Sequence, residues 1–314
     1  MAPRKLVWQS KLVLLLVVPF AAADVVLEAH WWSVNYRPLA IWTLGLSVLL
    51  ALVALKLRSA TPPAAAAGAL ITACLMFSTA VVPYEPWHTA LVPVAGLLAL
   101  TSLATRFGRS RKEHLGLAEP RSGRAASQVA ANLGMAALVS SALVQSWMIE
   151  SGWVSPLGLA QMLPFAPMLA ALAESAADTV SSEIGQAFGG QPRMITTLRR
   201  VEPGVDGGIS MVGTLAGIAA AAAVASAGAL ALRGGMMLFA ISVAGGIFGP
   251  SSTACWAPPL NGAAGSTTTW SIFFPPGARP PLRWPRSHSC PARSHADTRS
   301  RLQDALRLAD LPTR

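Results

Sequence analysis

Apolar residues in this chain run in long blocks rather than in the short alternations of a soluble sheet protein. Residues 63–83, 88–105, 125–149, 155–173, 209–232 and 234–249 contain no Asp, Glu, Lys or Arg, and residues 39–55 are equally free of charge before Lys56. A shorter apolar block, residues 12–23, opens the chain. A bilayer core of about 30 Å takes roughly 20 such residues per helix. Hydrocarbon leaves no partner for an unpaired backbone group, and the ten-residue alternation of a membrane barrel is missing, so the blocks predict helices. The expected fold is all-α: a polytopic transmembrane helix bundle of about seven to eight spans.

Polar residues between the blocks give that bundle a direction. Arg4, Lys5 and Lys11 precede the first block and Lys56 and Arg58 follow the second. Arg106, Arg109, Arg111, Lys112, Arg121 and Arg124 follow the fourth, and Arg193, Arg199 and Arg200 follow the sixth. The alternate connections carry Asp24, Glu28 and Arg37, then Glu85, then Glu150. The excess of Lys and Arg places the N-terminus and the 105–125 and 174–208 connections in the cytoplasm. An inner (plasma) membrane location is the matching expectation. Trp31, Trp32, Trp42, Trp87, Trp147 and Trp153 fall near block ends on the opposite side, as an interfacial aromatic belt would. The first block also has the build of a signal peptide, with basic residues, an apolar stretch and Ala21, Ala22 and Ala23 ahead of Asp24. Its removal would leave the rest of the topology as it is. Ala and Gly fill much of residues 213–223, and small residues let membrane helices approach closely.

Composition fits the pattern. Only 12% of residues are charged against 53% hydrophobic, with a mean hydropathy of +0.49, which excludes a disordered chain. Three cysteines in 314 residues make no disulfide framework. The net charge of +10 would raise the question of nucleic acid, but the apolar blocks point to a lipid bilayer instead. Half of that charge comes from residues 250–314 alone, with eight arginines against three aspartates. Domain organisation follows this division: a multi-pass membrane domain over 1–249 and a low-complexity tail over 250–314.

The stretch with most chemistry is the acidic and Gly-rich loop at 174–208. Glu174 and Asp178 are four residues apart, so on a helix they share a face that Ser182 continues, with Thr179 and Glu183 on a neighbouring row. Carboxylates gathered there call for a cation, and Mg²⁺ takes oxygen ligands of this kind together with substrate phosphates. Arg193, Thr196, Thr197, Arg199, Gly204, Gly207 and Gly208 follow, a set of forks and flexible backbone suited to phosphate. The plainer alternative is that the acids reach the interface and the arginines only anchor orientation. Upstream, Arg124, Gln128 and Asn132 enter an apolar block, where amides serve as interhelical glue or hold a polar substrate head. The chain lacks a Walker A run, a dinucleotide-binding glycine motif, a zinc-spaced Cys/His set and a nucleophile elbow.

The run Ala177, Asp178, Thr179, Val180, Ser181, Ser182, Glu183, Ile184, Gly185 resembles the ADTxxSEIG signature of the domain-of-unknown-function 92 membrane family. Ile195, Thr196 and Thr197, then Gly204, Gly207 and Gly208, then Gly213 and Thr214 follow at matching spacing. Gly123 and Arg124, with Gln128 to Asn132, match upstream. The resemblance covers roughly residues 65–249. The family includes plant phytyl-phosphate kinase, and the pattern is similar to that of dolichol kinases and phosphatidate cytidylyltransferases. The resemblance therefore implies transfer of phosphate from CTP or another nucleoside triphosphate to a prenol or prenyl phosphate at the cytoplasmic face. On that resemblance Asp178 and Glu183 are the Mg²⁺ and nucleotide acids, Thr179 and Ser182 assist, and Arg193, Thr196, Thr197 and Arg199 contact phosphates. One departure stands out: Val205 and Asp206 sit between the glycines where family members often place Thr and Ser. A different class of function also fits the residues, a transporter or non-enzymatic membrane protein in which Glu174, Asp178, Gln128 and Asn132 line a path.

The tail breaks the pattern. Ten of the 24 prolines fall in residues 250–314, and only residues 296–310 have the spacing of a short basic helix. A Pro/Arg/Ser segment of this kind is expected to be disordered. Family members carry there a further membrane segment with an Asp-Ser-Leu-Leu-Gly-Ala-Thr run and a later Asn-Asn-Asp. Joining the third base of each codon from Pro250 to the first two of the next allows VFDSLLGATLERRGWLNNDVVNFL across residues 250–274. Trp256 before Ala257 leaves only Gly at its place in that peptide, as needed. The expectation is a one-base slip near codon 250, which would leave the chain as written without part of the family's site.

Overall fold

The computed structural model describes residues 8–117, 123–151, 165–195, 197, 199–202, 205 and 207–256, with side chains from residue 12 to residue 248. Thr196, Gly204, Asp206, the first part of the 155–173 block and the tail beyond residue 256, including the 296–310 segment, lie outside them.

The described residues are almost wholly helical: α1 (Trp8–Asn35), α2 (Arg37–Lys56), α3 (Pro62–Ser78), α4 (Leu91–Arg106), the short α5 (Arg109–His114), α6 (Ala126–Ser140), α7 (Ala142–Glu150), α8 (Phe165–Phe188), α9 (Met211–Ala231) and α10 (Gly235–Trp256). The protein is thus an all-α polytopic membrane bundle. Residues 12–35, α2 and α9 are each long and apolar enough to cross a bilayer, and α6 with α7, bent by 49°, makes a fourth crossing if counted as one span. Three shorter apolar helices, α3, α4 and Gly235–Phe248 of α10, account for other predicted blocks.

Four boundaries differ from those the sequence pattern predicts. Asp24 and Glu28, expected in a connection, lie inside α1, which runs on to Asn35. No glycine or proline interrupts residues 20–35, and each acid has a partner: Cys74 Sγ stands 3.0 Å from Asp24 Oδ2, and Trp32 Nε1 donates to Glu28 at 3.1 Å. The single block 125–149 is broken at Ser141, whose hydroxyl caps α7 by accepting from Val144 N–H. The acidic part of the 174–208 loop is not loop. α8 continues through it to Phe188, because Ala and Ser sustain the helix and the first adjacent glycine pair comes only at Gly189 and Gly190. At the other end, α10 carries seven residues into the predicted tail, past Pro250 to Trp256.

A seam of small residues holds the C-terminal helices together. A Cβ at Gly213 would stand 2.6 Å from Ser181 O, and one at Gly217 would stand 2.9 Å from Ser181 Cβ and 3.0 Å from Ala177 O. Gly245 and Gly246 of α10 face Ala170 and Ala173 of α8 at 2.7 Å in the same sense. Lipid supplies little drive for helix association, so close contact of small residues does this work. Glu174, 2% exposed, is enclosed as a result.

Candidate functional site

A cavity of about 480 Å³ opens among α2, α3, α4, α6 and α8. Its body is apolar, walled by Leu50, Ala54, Ala65, Val94, Leu97, Leu98, Val129 and Leu133. It follows α4 from Val94 to Arg106, roughly 18 Å at 1.5 Å per residue. Arg58, Arg106, Arg109 and Arg124 stand on its rim. Apolar walls with a few convergent polar groups are the usual make-up of a small-molecule site.

Local backbone chemistry sets that rim. Arg124 N–H donates to Ser59 O at 3.0 Å, and Thr61 N–H donates back to Arg124 O at 3.0 Å, so residues 123–125 are zipped to the turn after α2. Gly123 makes the approach feasible: its φ is +85°, and a Cβ there would stand 2.6 Å from Ala60 N. Arg106 donates to Leu57 O, and Arg109 pairs with Glu113 at 3.1 Å. The Ser59 and Ser102 hydroxyls, also on the cavity wall, meet at 2.7 Å.

The predicted site residues divide among several environments. Arg124 and Asn132 line the cavity. Gln128 does not: its Oε1 accepts from Ala125 N–H at 2.8 Å and so caps α6. Glu174 and Asp178 sit on consecutive turns of α8, and the charge of Arg124 acts on Asp178. Thr179 is buried, while Ser182 is exposed and donates to Thr179 O at 3.0 Å.

Glu183 is not beside Asp178. Five residues on, it turns to another face of α8, where Lys112 forms a buried ion pair with it and Thr105 Oγ1 donates at 3.1 Å. Lys112 also donates to Ala104 O at 3.2 Å and Thr105 O at 2.9 Å, closing the last carbonyls of α4. Asp178 and Glu183 thus face different sides of α8, where the sequence reading has them share one Mg²⁺. Glu183 is paired with Lys112, and the charge of Arg124 acts on Asp178. Among the described residues, no group of three or more His, Cys, Asp and Glu is placed to hold a metal ion.

Arg193, Thr197 and Arg199 are exposed on the segment joining α8 to α9. There β1 (Arg193–Met194) pairs antiparallel with β2 (Gly208–Ile209), and Gly207 adopts a φ of +77° as Ile195 N–H reaches its carbonyl at 3.0 Å. This segment starts next to the cavity rim. The rings of Phe107 and Phe188 lie 5.1 Å apart, packing the α4–α5 corner that carries Arg106 and Arg109 against the end of α8.

Two features of this region were hard to see in the sequence. Lys112 reads as one more juxtamembrane cation, though its position seven residues beyond Thr105 allows it to fold back onto the end of α4. Ser175, also on the cavity wall, carries no signal, since a serine beside Ala176 and Ala177 reads as a packing residue.

The model of the integral membrane protein DUF92 family matches residues 45–253. The chain belongs to this family. Among similar curated proteins, an uncharacterized membrane protein of Synechocystis is 36% identical over 135 residues, covering 43% of this chain and 48% of that protein. The chloroplastic protein VTE6 of Arabidopsis thaliana is 32% identical over 138 residues, 41% of this chain and 36% of that protein. An uncharacterized membrane protein of Methanocaldococcus jannaschii is 41% identical over 81 residues, 26% of this chain and 34% of that protein. The chain thus spans less than half the length of each of these relatives. No solved structure matches it.

Proposed function

We propose that this DUF92 protein transfers phosphate from CTP, or another nucleoside triphosphate, to a prenol or prenyl phosphate at the cytoplasmic face of the plasma membrane. The observation that carries the reading is the cavity: an apolar slot sized for a hydrocarbon chain, ending in Arg58, Arg106, Arg109 and Arg124. A chain with an anionic head satisfies both parts at once, because guanidinium forks match phosphate oxygens. The arginine-rich end is the cytoplasmic one by the positive-inside rule, which also puts the N-terminus in the cytoplasm.

In this reading the slot orients the prenyl chain and the rim neutralises its head. Arg193, Thr197 and Arg199, on the segment that leaves α8 beside the rim, take the nucleotide phosphates. The head oxygen then displaces the nucleoside diphosphate from the terminal phosphorus. Positioning and charge neutralisation supply most of the catalysis in such transfers. When the acceptor is an alcohol, Asp178 takes its proton in this reading.

The test is transfer of labelled γ-phosphate from CTP or ATP to phytol, geranylgeraniol or their monophosphates by the purified protein in detergent. Labelled prenyl product, lost in Asp178→Asn, supports the reading. No labelled product with any of these donor and acceptor pairs would overturn it.

A further inference from the structure

The arginines stand at one end of the cavity, yet the other end is not wholly apolar. Among the hydroxyls on the wall, Thr72 donates to Gly68 O at 2.7 Å, Thr101 donates to Leu97 O at 2.8 Å, and Ser102 is bonded to Ser59 at 2.7 Å. Ser175 lines the same cavity and is 4% exposed, yet its Oγ has no hydrogen-bond partner among the described residues. A buried hydroxyl without a partner is costly unless something else completes it.

Contacts between helices fix the depth of this group. Thr105 Oγ1 meets Glu183 at 3.1 Å, and a Cβ at Gly108 would stand 2.7 Å from Ala187 Cβ, so α4 and α8 run side by side in the same direction. Ser175 lies eight residues before Glu183, as Leu97 does before Thr105. That puts Ser175 level with Leu97, roughly 12 Å from the arginine end. Asn132 reaches a similar depth from α6. The parallel bridge between Ala60 and Arg124 starts α3 and α6 together, and a Cβ at Gly68 would stand 3.7 Å from Val129 Cγ1. Asn132 is three residues deeper than Val129 and also lines the cavity.

We infer that the deep end of the cavity is a second polar subsite, which takes a neutral hydroxyl borne on the chain of a phosphate amphiphile, roughly 12 Å from its head. Ser175 Oγ–H donates to the hydroxyl oxygen, and the Asn132 amide, at the same depth, offers a carbonyl oxygen to accept the hydroxyl's own hydrogen. An anion does not suit this end, because a charge buried there without a cation is far costlier than a neutral group. The inference rests on the phosphotransferase reading only for the end at which the phosphate sits, and it adds the chain chemistry that the slot selects.

The experiment is direct binding to the full chain in detergent micelles, with dodecyl monophosphate and ω-hydroxydodecyl monophosphate as paired probes. Thermal unfolding of the ligand-free protein is followed in parallel. Ser175→Ala is expected to bind the hydroxylated probe roughly fivefold more weakly, the effect of one hydrogen bond. It should bind dodecyl monophosphate at least as well as the wild type does, and its ligand-free melting temperature should not fall, because the variant removes an unpaired polar group. Asn132→Leu should show the same selectivity between the probes. If Ser175→Ala treats the two probes alike, the subsite is overturned, its hydroxyl is assigned to an ordered water, and the phosphotransferase reading is untouched. A hydroxyl-selective loss without any phosphate transfer in the labelled-phosphate assay keeps the subsite and removes that reading. If the wild type takes neither probe, both fall.

Discussion

Lys112 and Glu183 make a salt bridge with side chains only 1% and 8% exposed, joining the α4–α5 corner to α8. The ammonium is fully used, since it also reaches the carbonyls of Ala104 and Thr105. Removing one member leaves the other charge buried alone, which typically costs about 3–5 kcal/mol. Lys112→Met should therefore lower the unfolding midpoint in detergent steeply, while Lys112→Met with Glu183→Leu should recover much of the loss. A double variant as unstable as the single one would show that the pair is not the anchor described here.

The glycine seam between α8 and α9 makes a second prediction. Gly217→Val forces a branched side chain toward Ser181 Cβ and Ala177 O, already 2.9 and 3.0 Å from a bare Cβ. Overpacking of this kind costs about 1–3 kcal/mol, and α9 should separate from α8 at lower denaturant. Leu215, 60% exposed on the same helix, accepts Ile without measurable change. Equal tolerance at both positions would contradict the seam.

Gly123 fixes Arg124 on the rim through backbone shape. Gly123→Ala combines an unfavourable φ of +85° with contact on Ala60 N, so the 123–125 segment must lift from the turn after α2. Affinity for a prenyl monophosphate should drop roughly tenfold, close to the effect of Arg124→Gln. Unfolding of the rest of the bundle should change little. Binding by Gly123→Ala at the wild-type level would remove Arg124 from the recognition of the head.

Much of this was legible in the sequence for physical reasons. Long charge-free blocks can only be helices in lipid, and the arginines flanking them cluster at one end because insertion puts them there. The turn from Asp178 to Glu183 was readable as helical rows. What the rows could not give was their partners. Glu183 was expected to face a metal, but its neighbour is Lys112, 71 residues earlier, and nothing local encodes that meeting. Asp24 and Glu28 were expected at a helix end because acids are costly in lipid. Cys74 and Trp32 lower that cost from inside the bundle. Gln128 and Asn132 looked alike on one face, yet only Asn132 is deep enough to reach the cavity, while Gln128 meets the open turn of its own helix.

The C-terminal reading predicts a result at the level of the gene. The DUF92 match stops at residue 253, three residues beyond the first proline of the tail. Resequencing across codon 250 should show that the next frame continues with Asp-Ser-Leu-Leu-Gly-Ala-Thr. Codons that cannot produce that peptide would end the idea of a slip.

The central claim is that the cavity along α4 holds the prenyl chain with its head among the arginines. Photolabelling of the full chain with a prenyl monophosphate bearing a diazirine near the chain end tests this most directly. Covalent adducts are expected on the cavity side of α3 and α4, around Ala65, Gly68, Leu97 and Leu98, competed away by unlabelled geranylgeranyl monophosphate. Adducts confined to the lipid-facing residues of α1 and α2, and unaffected by the competitor, would contradict it.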